Sequence, residues 1–429
     1  MTPDAAAHRG LRAGDYEHVA RSLRATDELL AAAYPGDDGT RQPVHTVYVP
    51  ADTFTPGLPA EWGRQGLAAV QGQDGLDRLA SQLQLGEPDV LADLVARKLS
   101  SEPIEDLRLD FEDGYGTRPH DAEDAAAASA GRAVAAAAVA GTSPAFIGIR
   151  FKSLEAGTRE RGLRTLDLFL SALLAELAAS GQDLPDGLRL TLPKVSTAAQ
   201  VEAMAFVCAR LEEAHGLPPG RLRFEVQVET PQVILGADGT AAVARLLHAA
   251  PGRVSGLHYG TYDYSAALGI APEHQSLEHP AADYAKTVMQ AAAAGTGVRL
   301  SDGSTNILPA GNAESMLRAW KLHARLVSRS LAAGFYQGWD LHPAQLPTRY
   351  LATYAFYRSG FPAAVQRVGN YVHQRESSIL DEPATARALA RFIQRAAACG
   401  AVTAVEVSAA GISPRELDRL ARPRETEHA

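Results

Sequence analysis

The sequence has few cysteines and no long apolar run, and each absence excludes a class of protein. Its two cysteines are Cys208 and Cys399, and neither has a second Cys or His at metal-ligand spacing, which argues for a reducing compartment and against structural zinc. No apolar run approaches the about 18 residues of a membrane span, and Met1 to Arg12 has no apolar stretch typical of a signal peptide. We therefore expect a cytoplasmic protein without a membrane partner.

Positive charge is also scarce. The chain has 41 Lys and Arg against 50 Asp and Glu, giving a formal net charge of −9, and its basic residues form no run. A protein that binds a nucleic-acid backbone needs a concentrated basic surface. We therefore expect no nucleic-acid partner.

Short apolar or β-branched runs alternate with longer stretches of helical periodicity along most of the chain. This alternation is typical of repeated strand–helix units and a parallel sheet, and about eight such units close a barrel. We predict a (β/α)₈ TIM barrel, an α/β fold, whose strands are Val44–Val49, Glu105–Phe111, Ala145–Phe151, Leu188–Leu192, Leu222–Val228, Val254–Tyr259, Ser304–Leu308 and Tyr336–Leu341.

The chain is predicted to divide into three parts. Residues 1–43 form an N-terminal helical extension with a helix near Tyr16–Tyr34, and residues 44–358 form the catalytic barrel. Residues 359–429 form a C-terminal helical lid or oligomerisation segment, separated from the barrel by a break at Gly360–Pro362. The strongest helical segment of this tail is Pro383–Ala398.

Charged residues follow several of the predicted strands. The active site of such a barrel lies at the carboxyl ends of its strands, and carboxylates that meet there repel one another unless a cation lies between them. Mg²⁺ takes one or two protein carboxylates and completes its shell with water and substrate. We predict that Glu229 and Asp263 hold a divalent cation, Mg²⁺ or alternatively Mn²⁺, and that Arg150 orients an acidic substrate beside it.

These strand ends resemble the citrate lyase β-subunit and malyl-CoA lyase group of the HpcH/HpaI aldolase superfamily. The resemblance covers roughly Val44 to Gln345 and resumes near Leu380. The matching motifs, in chain order, are Val47–Pro50, Asp110–Gly114 ("LED"), Gly148–Arg150, Leu192–Val195 ("LPKV"), Val228–Thr230 ("ET"), Gly260–Ser265 with Leu268-Gly269, and Leu341–Gln345 ("IHPxQ").

The resemblance implies a role for each matched charged residue. It implies Glu229 and Asp263 as metal ligands, with Glu229 also close to the substrate, and Arg150 as the binder of the substrate carboxylate. Glu112, Asp113 and Lys194 are implied as further substrate-binding residues.

Ser378–Pro383 is similar to the lid motif "S-x-I-D-x-P" of the same group. In relatives that use acyl-CoA, the aspartate of this motif reaches the site of a neighbouring subunit as an acid or base. The resemblance therefore implies Asp381 as the catalytic proton-transfer residue and a homo-oligomer, a trimer or hexamer of barrels.

The expected activity is that of a metal-dependent carbon–carbon lyase. It would cleave or form a 2-hydroxy acid, or its CoA thioester, through a 2-oxo acid and an enolate. The partner would be a small 2-oxo or 2-hydroxy acid, joined by an acyl-CoA if the substrate is a CoA thioester. No phosphate-cradling glycine motif or basic cluster marks a CoA pocket.

Three other functions remain open at this point. Gly260–Tyr264 is similar to the "GRWDY" stretch of malate synthases, which condense an acyl-CoA with glyoxylate. Lys194 at a strand end would also suit a Schiff-base aldolase if its pKa were lowered. A third alternative is a non-catalytic binding subunit, since a barrel fold does not prove activity.

Each candidate residue also has a purely structural interpretation. Glu229 could cap a helix, Asp263 lies in a turn where aspartate is common, and Arg150 could pair with Glu112. Asp381, two residues before Pro383, is also placed to cap the helix that follows.

Overall fold

The computed structural model describes residues 10–72, 74–373, 381–409 and 411–422. Within them, parallel strands form a sheet in the order β7-β6-β5-β4-β3-β2-β1-β8, and a bridge between Ser301 and Gln337 joins its two edges. The strands are β1 His45–Pro50, β2 Asp106–Asp110, β3 Phe146–Arg150, β4 Leu188–Leu192, β5 Phe224–Val228, β6 Val254–Tyr259, β7 Arg299–Ser301 and β8 Gly338–Asp340. The predicted (β/α)₈ barrel is confirmed.

One predicted strand is wrong. The seventh strand is Arg299–Ser301, whereas the predicted run Ser304–Leu308 is a loop. Residues 299–301 pair with Gly256 to His258 of β6. This strand is short and begins with an arginine, so it has no apolar run from which it could be predicted. It forms because closure of the barrel places it beside β6.

Helices surround the sheet. They are α1 Ala13–Ala33, α2 Leu58–Gln71, α3 Gly75–Gln82, α4 Pro88–Ser101, α5 His120–Val139, α6 Arg159–Ala179, α7 Ala198–His215, α8 Pro231–Ile234, α9 Ala242–Ala249, α10 Thr261–Ala267, α11 Pro280–Ala293, α12 Ala313–Ala332, α13 Leu346–Val372, α14 Pro383–Ala398, α15 Ala404–Ala409 and α16 Pro414–Ala421. No helix in the described part of the chain is long and apolar enough to span a membrane.

Apolar and charged residues alternate along β2, and this pattern shows where the apolar core lies. Leu107 and Leu109 are fully buried in the main hydrophobic cluster that joins the sheet to the helices. The alternate residues, Asp106, Arg108 and Asp110, are buried too, and successive side chains of a strand point to opposite faces. These three residues therefore face the inside of the barrel, which is polar and held by ion pairs.

An ion-pair layer fills the amino-terminal half of this interior. The Arg108 guanidinium donates to both carboxylate oxygens of Glu225, at 3.0 and 2.9 Å, and it also pairs with Asp106. His258 Nε2 lies 3.0 Å from Glu225 Oε2. Buried charges of this kind need such partners, because an unpaired one would carry a large desolvation cost.

The C-terminal region differs from the prediction at one point. The predicted break at Gly360–Pro362 is wrong, because α13 runs without interruption from Leu346 to Val372 with Pro362 inside it. Buried residues on both sides of the proline, Tyr357 and Ala364 among them, keep the helix packed. The predicted helix Pro383–Ala398 has the expected bounds.

The N-terminal extension forms a helix close to the predicted one. α1 spans Ala13–Ala33 and buries none of its residues. The chain then passes through Tyr34 to Gln42 along the amino-terminal end of the barrel and enters β1.

Candidate active site

Lys194 joins four acidic side chains at the carboxyl ends of the strands. Its ammonium group donates to Glu112 Oε1 at 2.6 Å and to Asp113 Oδ1 at 2.9 Å, and it lies 3.8 Å from Asp263 Oδ2. Its backbone N–H donates to Glu229 Oε1 at 2.7 Å. The structure therefore brings together these five residues, which the sequence motifs placed at four different strand ends.

Lys194 has an unusual backbone conformation. Its φ of +50° lies in the left-handed region, which costs a residue other than glycine about 1 kcal/mol. The conformation directs the backbone N–H toward Glu229 while the side chain reaches Glu112. Strain of this kind persists where surrounding contacts hold it, and functional sites are a common place for it.

Glu229 is the most strongly perturbed acid of the cluster. It follows the last residue of β5 and is 3% exposed. Burial raises the pKa of Glu229, the Arg150 charge opposes this, and repulsion by Asp263 and Glu112 adds to it, so that the pKa reaches about 8. Removal of the Glu229 carboxyl group from water therefore outweighs the attraction between its ionised form and Arg150.

Gly260 allows the ends of β5 and β6 to lie this close. A Cβ atom at Gly260 would lie 2.5 Å from Glu229 Cβ and 2.7 Å from Glu229 Oε2. No side chain fits there without displacing Glu229. Gly260 is a site-forming residue that the motif comparison included without a role.

Glu112 and Asp113 form a closely coupled pair. Burial, together with repulsion by Asp113, raises the pKa of Glu112 to about 7, although Arg150 and Lys194 oppose the shift. The pKa of Asp113 is lowered, because hydrogen bonds from Glu112 and Lys194 outweigh its burial. As pH rises, Asp113 therefore loses its proton first and Glu112 keeps its proton to higher pH.

Arg150 is held by Asp110, a residue that the sequence analysis quoted within a motif without giving it a role. Asp110 Oδ1 and Oδ2 accept from Nε and Nη2 of Arg150, both at 2.7 Å. The guanidinium also lies over the rings of Tyr48 and Trp339, at 4.9 and 5.4 Å. The alternation along β2 could have identified Asp110, since it faces the barrel interior as Arg108 does.

Only one nitrogen of Arg150 faces the acidic cluster. Nη1 lies 3.7 Å from Glu112 Oε2 and 3.5 Å from the side-chain oxygen of Gln227. The edge of Arg150 that could hold a carboxylate through two parallel hydrogen bonds is therefore occupied by Asp110. A substrate carboxylate would therefore meet Arg150 through Nη1.

The protonation of Lys194 determines whether this residue could act in a Schiff-base aldolase. Burial alone would lower the pKa of Lys194, but its hydrogen bonds to Glu112 and Asp113 raise it above the ordinary value. A Schiff base requires the neutral amine. This environment therefore disfavours imine formation by Lys194.

Asp381 lies far from these residues within the same chain. Tyr350 Oη, near the start of α13, donates to the backbone oxygen of Pro103 just before β2. Arg367, which pairs with Asp381 (Nε to Oδ2, 3.1 Å), lies about 25 Å further along α13 at about 1.5 Å per residue. Asp381 is therefore beyond the opposite end of the barrel, and the preceding part of the lid motif, Ser378–Leu380, falls outside the described residues.

The donors suit a cation held by few protein ligands. In the described ranges, no group of three or more His, Cys, Asp or Glu has metal-ligand geometry. Glu229 and Asp263 (47% exposed side chain) provide two carboxylates at adjacent strand ends, one buried and one open to solvent. Two carboxylates with open positions around them fit Mg²⁺ or Mn²⁺ and do not fit a closed structural site.

Comparison with known proteins gives one family match and several structural likenesses. The profile of the family described as Domain of unknown function (DUF6986) matches residues 23–425, and no curated protein matches the sequence. A citrate lyase from Burkholderia xenovorans LB400 superposes with a TM-score of 0.54 at 20% identity, over 88% of this chain and 100% of that one. At this identity the likeness establishes the barrel fold, which is also the fold of the group that the motifs resemble.

Two further structures resemble the chain more weakly. The lead(II) complex of malate synthase from Haloferax volcanii has a TM-score of 0.49 at 15% identity, covering 83% of this chain and 88% of its own. The CitE protein of Mycobacterium tuberculosis, in complex with magnesium and acetate, has a TM-score of 0.43 at 17% identity, covering 83% and 98%.

Proposed function

The chain belongs to the family described as Domain of unknown function (DUF6986), and we propose that this member is a divalent-cation-dependent carbon–carbon lyase acting on a small 2-hydroxy acid or its CoA thioester. One observation carries the proposal. Glu229, a buried carboxylate with its pKa raised to about 8, faces Asp263 across adjacent strand ends at the end of the barrel where such folds place their chemistry.

Glu229 and Asp263 would hold the cation, Mg²⁺ or Mn²⁺. When bound, the cation supplies Lewis-acid stabilisation of the oxygen at which negative charge develops as the carbon–carbon bond breaks. Glu229 is kept in place by the Lys194 backbone N–H and by the close contact with Gly260. Glu229 is thus positioned before the cation and substrate arrive.

The other charged groups would bind and orient the acid. Arg150 Nη1 and the Lys194 ammonium face the cluster, and both are suited to a substrate carboxylate. Glu112, with a pKa of about 7, can hold a proton at its carboxyl group and donate it to a substrate oxygen. Asp113 keeps the Lys194 ammonium aligned through the 2.9 Å hydrogen bond.

Asp381 would serve as the proton-transfer residue only in a homo-oligomer. In its own chain it lies beyond the amino-terminal end of the barrel, so the site that it serves would belong to a neighbouring subunit. A trimer or hexamer of barrels would supply that arrangement. The C-terminal segment, residues 359–429 in the predicted division, would then complete the partner's site.

The test is an activity assay on the full chain. The protein is first treated with a chelator, and Mg²⁺ or Mn²⁺ is then added back. We expect this protein to cleave malyl-CoA-type or citramalyl-CoA-type substrates and to release a 2-oxo acid such as glyoxylate. Glu229→Gln and Asp263→Asn should each lower kcat/KM at least about 100-fold, whereas Glu202→Gln, an exposed acid on α7, should have no effect. Turnover that survives chelation, or a fully active Glu229→Gln, would refute the proposal.

The same assay separates the alternatives. Condensation of an acyl-CoA with glyoxylate, run with the same variants, would detect malate synthase-like activity. Trapping with borohydride in the presence of chelator would detect a Schiff base on Lys194. Cation-dependent binding of a 2-oxo acid with no turnover in either direction would indicate a non-catalytic binding subunit.

A further inference from the structure

A recess lies at the amino-terminal end of the barrel, opposite the candidate active site. Its cavity volume is about 40 Å³, several times the about 10–15 Å³ that one water molecule needs, so it can admit a small anionic group but not a whole large ligand. We call it the amino-terminal recess, and its charged lining residues are Asp38, Asp106, Arg108, Arg189, Arg223, Glu225, His258 and Arg299.

The carboxylates of the amino-terminal recess already have partners. Asp106 and Glu225 pair with Arg108, and Glu225 also pairs with His258. Asp38 accepts from the backbone N–H of Thr40 at 2.9 Å and lies 3.5 Å from Arg299 Nη2. Each of these carboxylates is therefore already bound to a group other than Arg189 and Arg223.

Arg189 and Arg223 have no such partner. Among the described residues neither forms an ion pair with a carboxylate, and Arg189 donates only to the backbone oxygens of Asp186 and Leu188, at 2.8 and 2.7 Å. Arg223 Nε is buried and makes no hydrogen bond within the described part of the chain. Two guanidinium groups therefore line one recess without a direct ion pair to a carboxylate of the described residues.

This arrangement is costly without an anion. Arg189 and Arg223 are both half-buried, and charged groups that are partly removed from water are normally paired. Burial lowers the pKa of Arg189 to about 10, repulsion from Arg223 and Arg108 adds to the shift, and the charges of Asp106 and Glu225 oppose it. An anion placed between Arg189 and Arg223 would remove this repulsion.

We propose that the amino-terminal recess is a binding site for a phosphate group, free or as part of a phosphate ester, held by Arg189 and Arg223. Two unpaired guanidinium groups match the two negative charges of a phosphate, and the flat donor array of arginine fits its oxygens. Arg299, which lines the recess, contributes a third positive charge, although its donors already bind the backbone oxygens of Thr40 and Arg41. The site is separate from the cation site of the proposed function.

The test is calorimetric titration of the full chain with inorganic phosphate and, separately, with adenosine monophosphate, at constant ionic strength. We expect both to bind, and acetate at the same concentration not to bind. Arg189→Gln and Arg223→Gln should each weaken phosphate binding about tenfold or more. Tighter binding of the monophosphate than of free phosphate would identify an ester as the ligand.

Matched controls make the result specific. Arg132→Gln removes an exposed positive charge on α5 and should leave phosphate binding unchanged, as should Glu229→Gln at the other end of the barrel. In phosphate-free buffer, the melting temperature of Arg223→Gln should not fall, because the variant removes a half-buried charge that has no ion pair, whereas a purely structural Arg223 would make it fall. No binding to the wild type at millimolar phosphate, or equal weakening by Arg132→Gln, would overturn the proposal.

Discussion

At the scale of single residues, the position of Glu229 at the end of the fifth strand was predicted from the sequence and is found in the structure. The motif at the end of the fifth strand indicated an acid there, and the geometry places it beside Lys194, Asp263 and Glu112. The sequence alone could not predict the pKa of Glu229. That depends on burial and on the distances to three charges from other strands, which exist only in the folded chain.

The raised pKa of Glu229 predicts how the stability of the cation-free protein varies with pH. The carboxyl group has an ordinary pKa of 4.5 and a folded pKa of about 8. Between these values the folded state keeps a proton that the unfolded state has released, so this group makes stability fall as pH rises and has no further effect above about pH 8.

We therefore expect Glu229→Gln, measured by thermal melting in chelator, to raise the melting temperature by several degrees at pH 8 and to change it little at pH 5. The glutamine retains an oxygen to accept the Lys194 N–H. Glu202→Gln on α7 is the control and should change neither value. A stabilisation that is equal at both pH values would show that Glu229 is not perturbed.

Gly260 gives a second prediction at this scale. Gly260→Ala places a Cβ within 2.7 Å of two atoms of Glu229, so we expect the Glu229 carboxylate to be displaced. Mg²⁺ binding should become at least about tenfold weaker, and the free energy of unfolding should fall by about 1–3 kcal/mol. Titration calorimetry and urea unfolding measure the two effects. Gly157→Ala, where a Cβ meets no atom within 4 Å, should change neither. Unaltered Mg²⁺ affinity in Gly260→Ala would mean that Glu229 is not a ligand.

At the scale of elements, seven strands could be located from apolar runs because each is buried against a helix layer. β7 could not, because Arg299–Ser301 is defined by its pairing with β6 and not by its composition. α13 was divided wrongly for a related reason. Pro362 predicts a helix end from local rules, and the packing of the residues around it overrides those rules. The division of the chain at residues 43 and 358 remains a prediction.

The continuity of α13 can be tested at Pro362 itself. A proline inside a helix removes a hydrogen bond and crowds the preceding turn, so Pro362→Ala should stabilise the protein by about 1–3 kcal/mol, less the entropy that proline removes from the unfolded chain. Urea unfolding measures the change. Pro383→Ala, at the first position of α14 where proline is well tolerated, should give no gain. A Pro362→Ala variant without added stability would indicate that the helix does end there.

At the scale of the whole molecule, the fold and the convergence of charged strand ends could be predicted from the sequence, whereas the position of Asp381 could not. α13 extends beyond the barrel and carries the Arg367–Asp381 pair away from the site of its own chain. No local sequence pattern predicts how far a helix extends beyond a barrel. Whether Asp381 acts in a neighbouring subunit is a property of the assembly.

Mixed oligomers test that assignment. Glu229→Gln and Asp381→Asn should each be inactive alone. If Asp381 acts on a neighbouring subunit, co-expression of the two variants should restore a measurable fraction of wild-type activity, because some sites combine an intact Glu229 with an intact Asp381. No recovery in oligomers shown to contain both chains would contradict action between subunits.

The central claim is that one cation binds between Glu229 and Asp263, and anomalous diffraction from a crystal grown with Mn²⁺ tests it most directly. We predict one strong anomalous peak per chain at the carboxyl ends of β5 and β6, at about 2.0–2.3 Å from a carboxylate oxygen of each residue. The peak should be absent from crystals of Glu229→Gln. A peak held by other residues, or none at Glu229 and Asp263 in the wild type, would contradict the account.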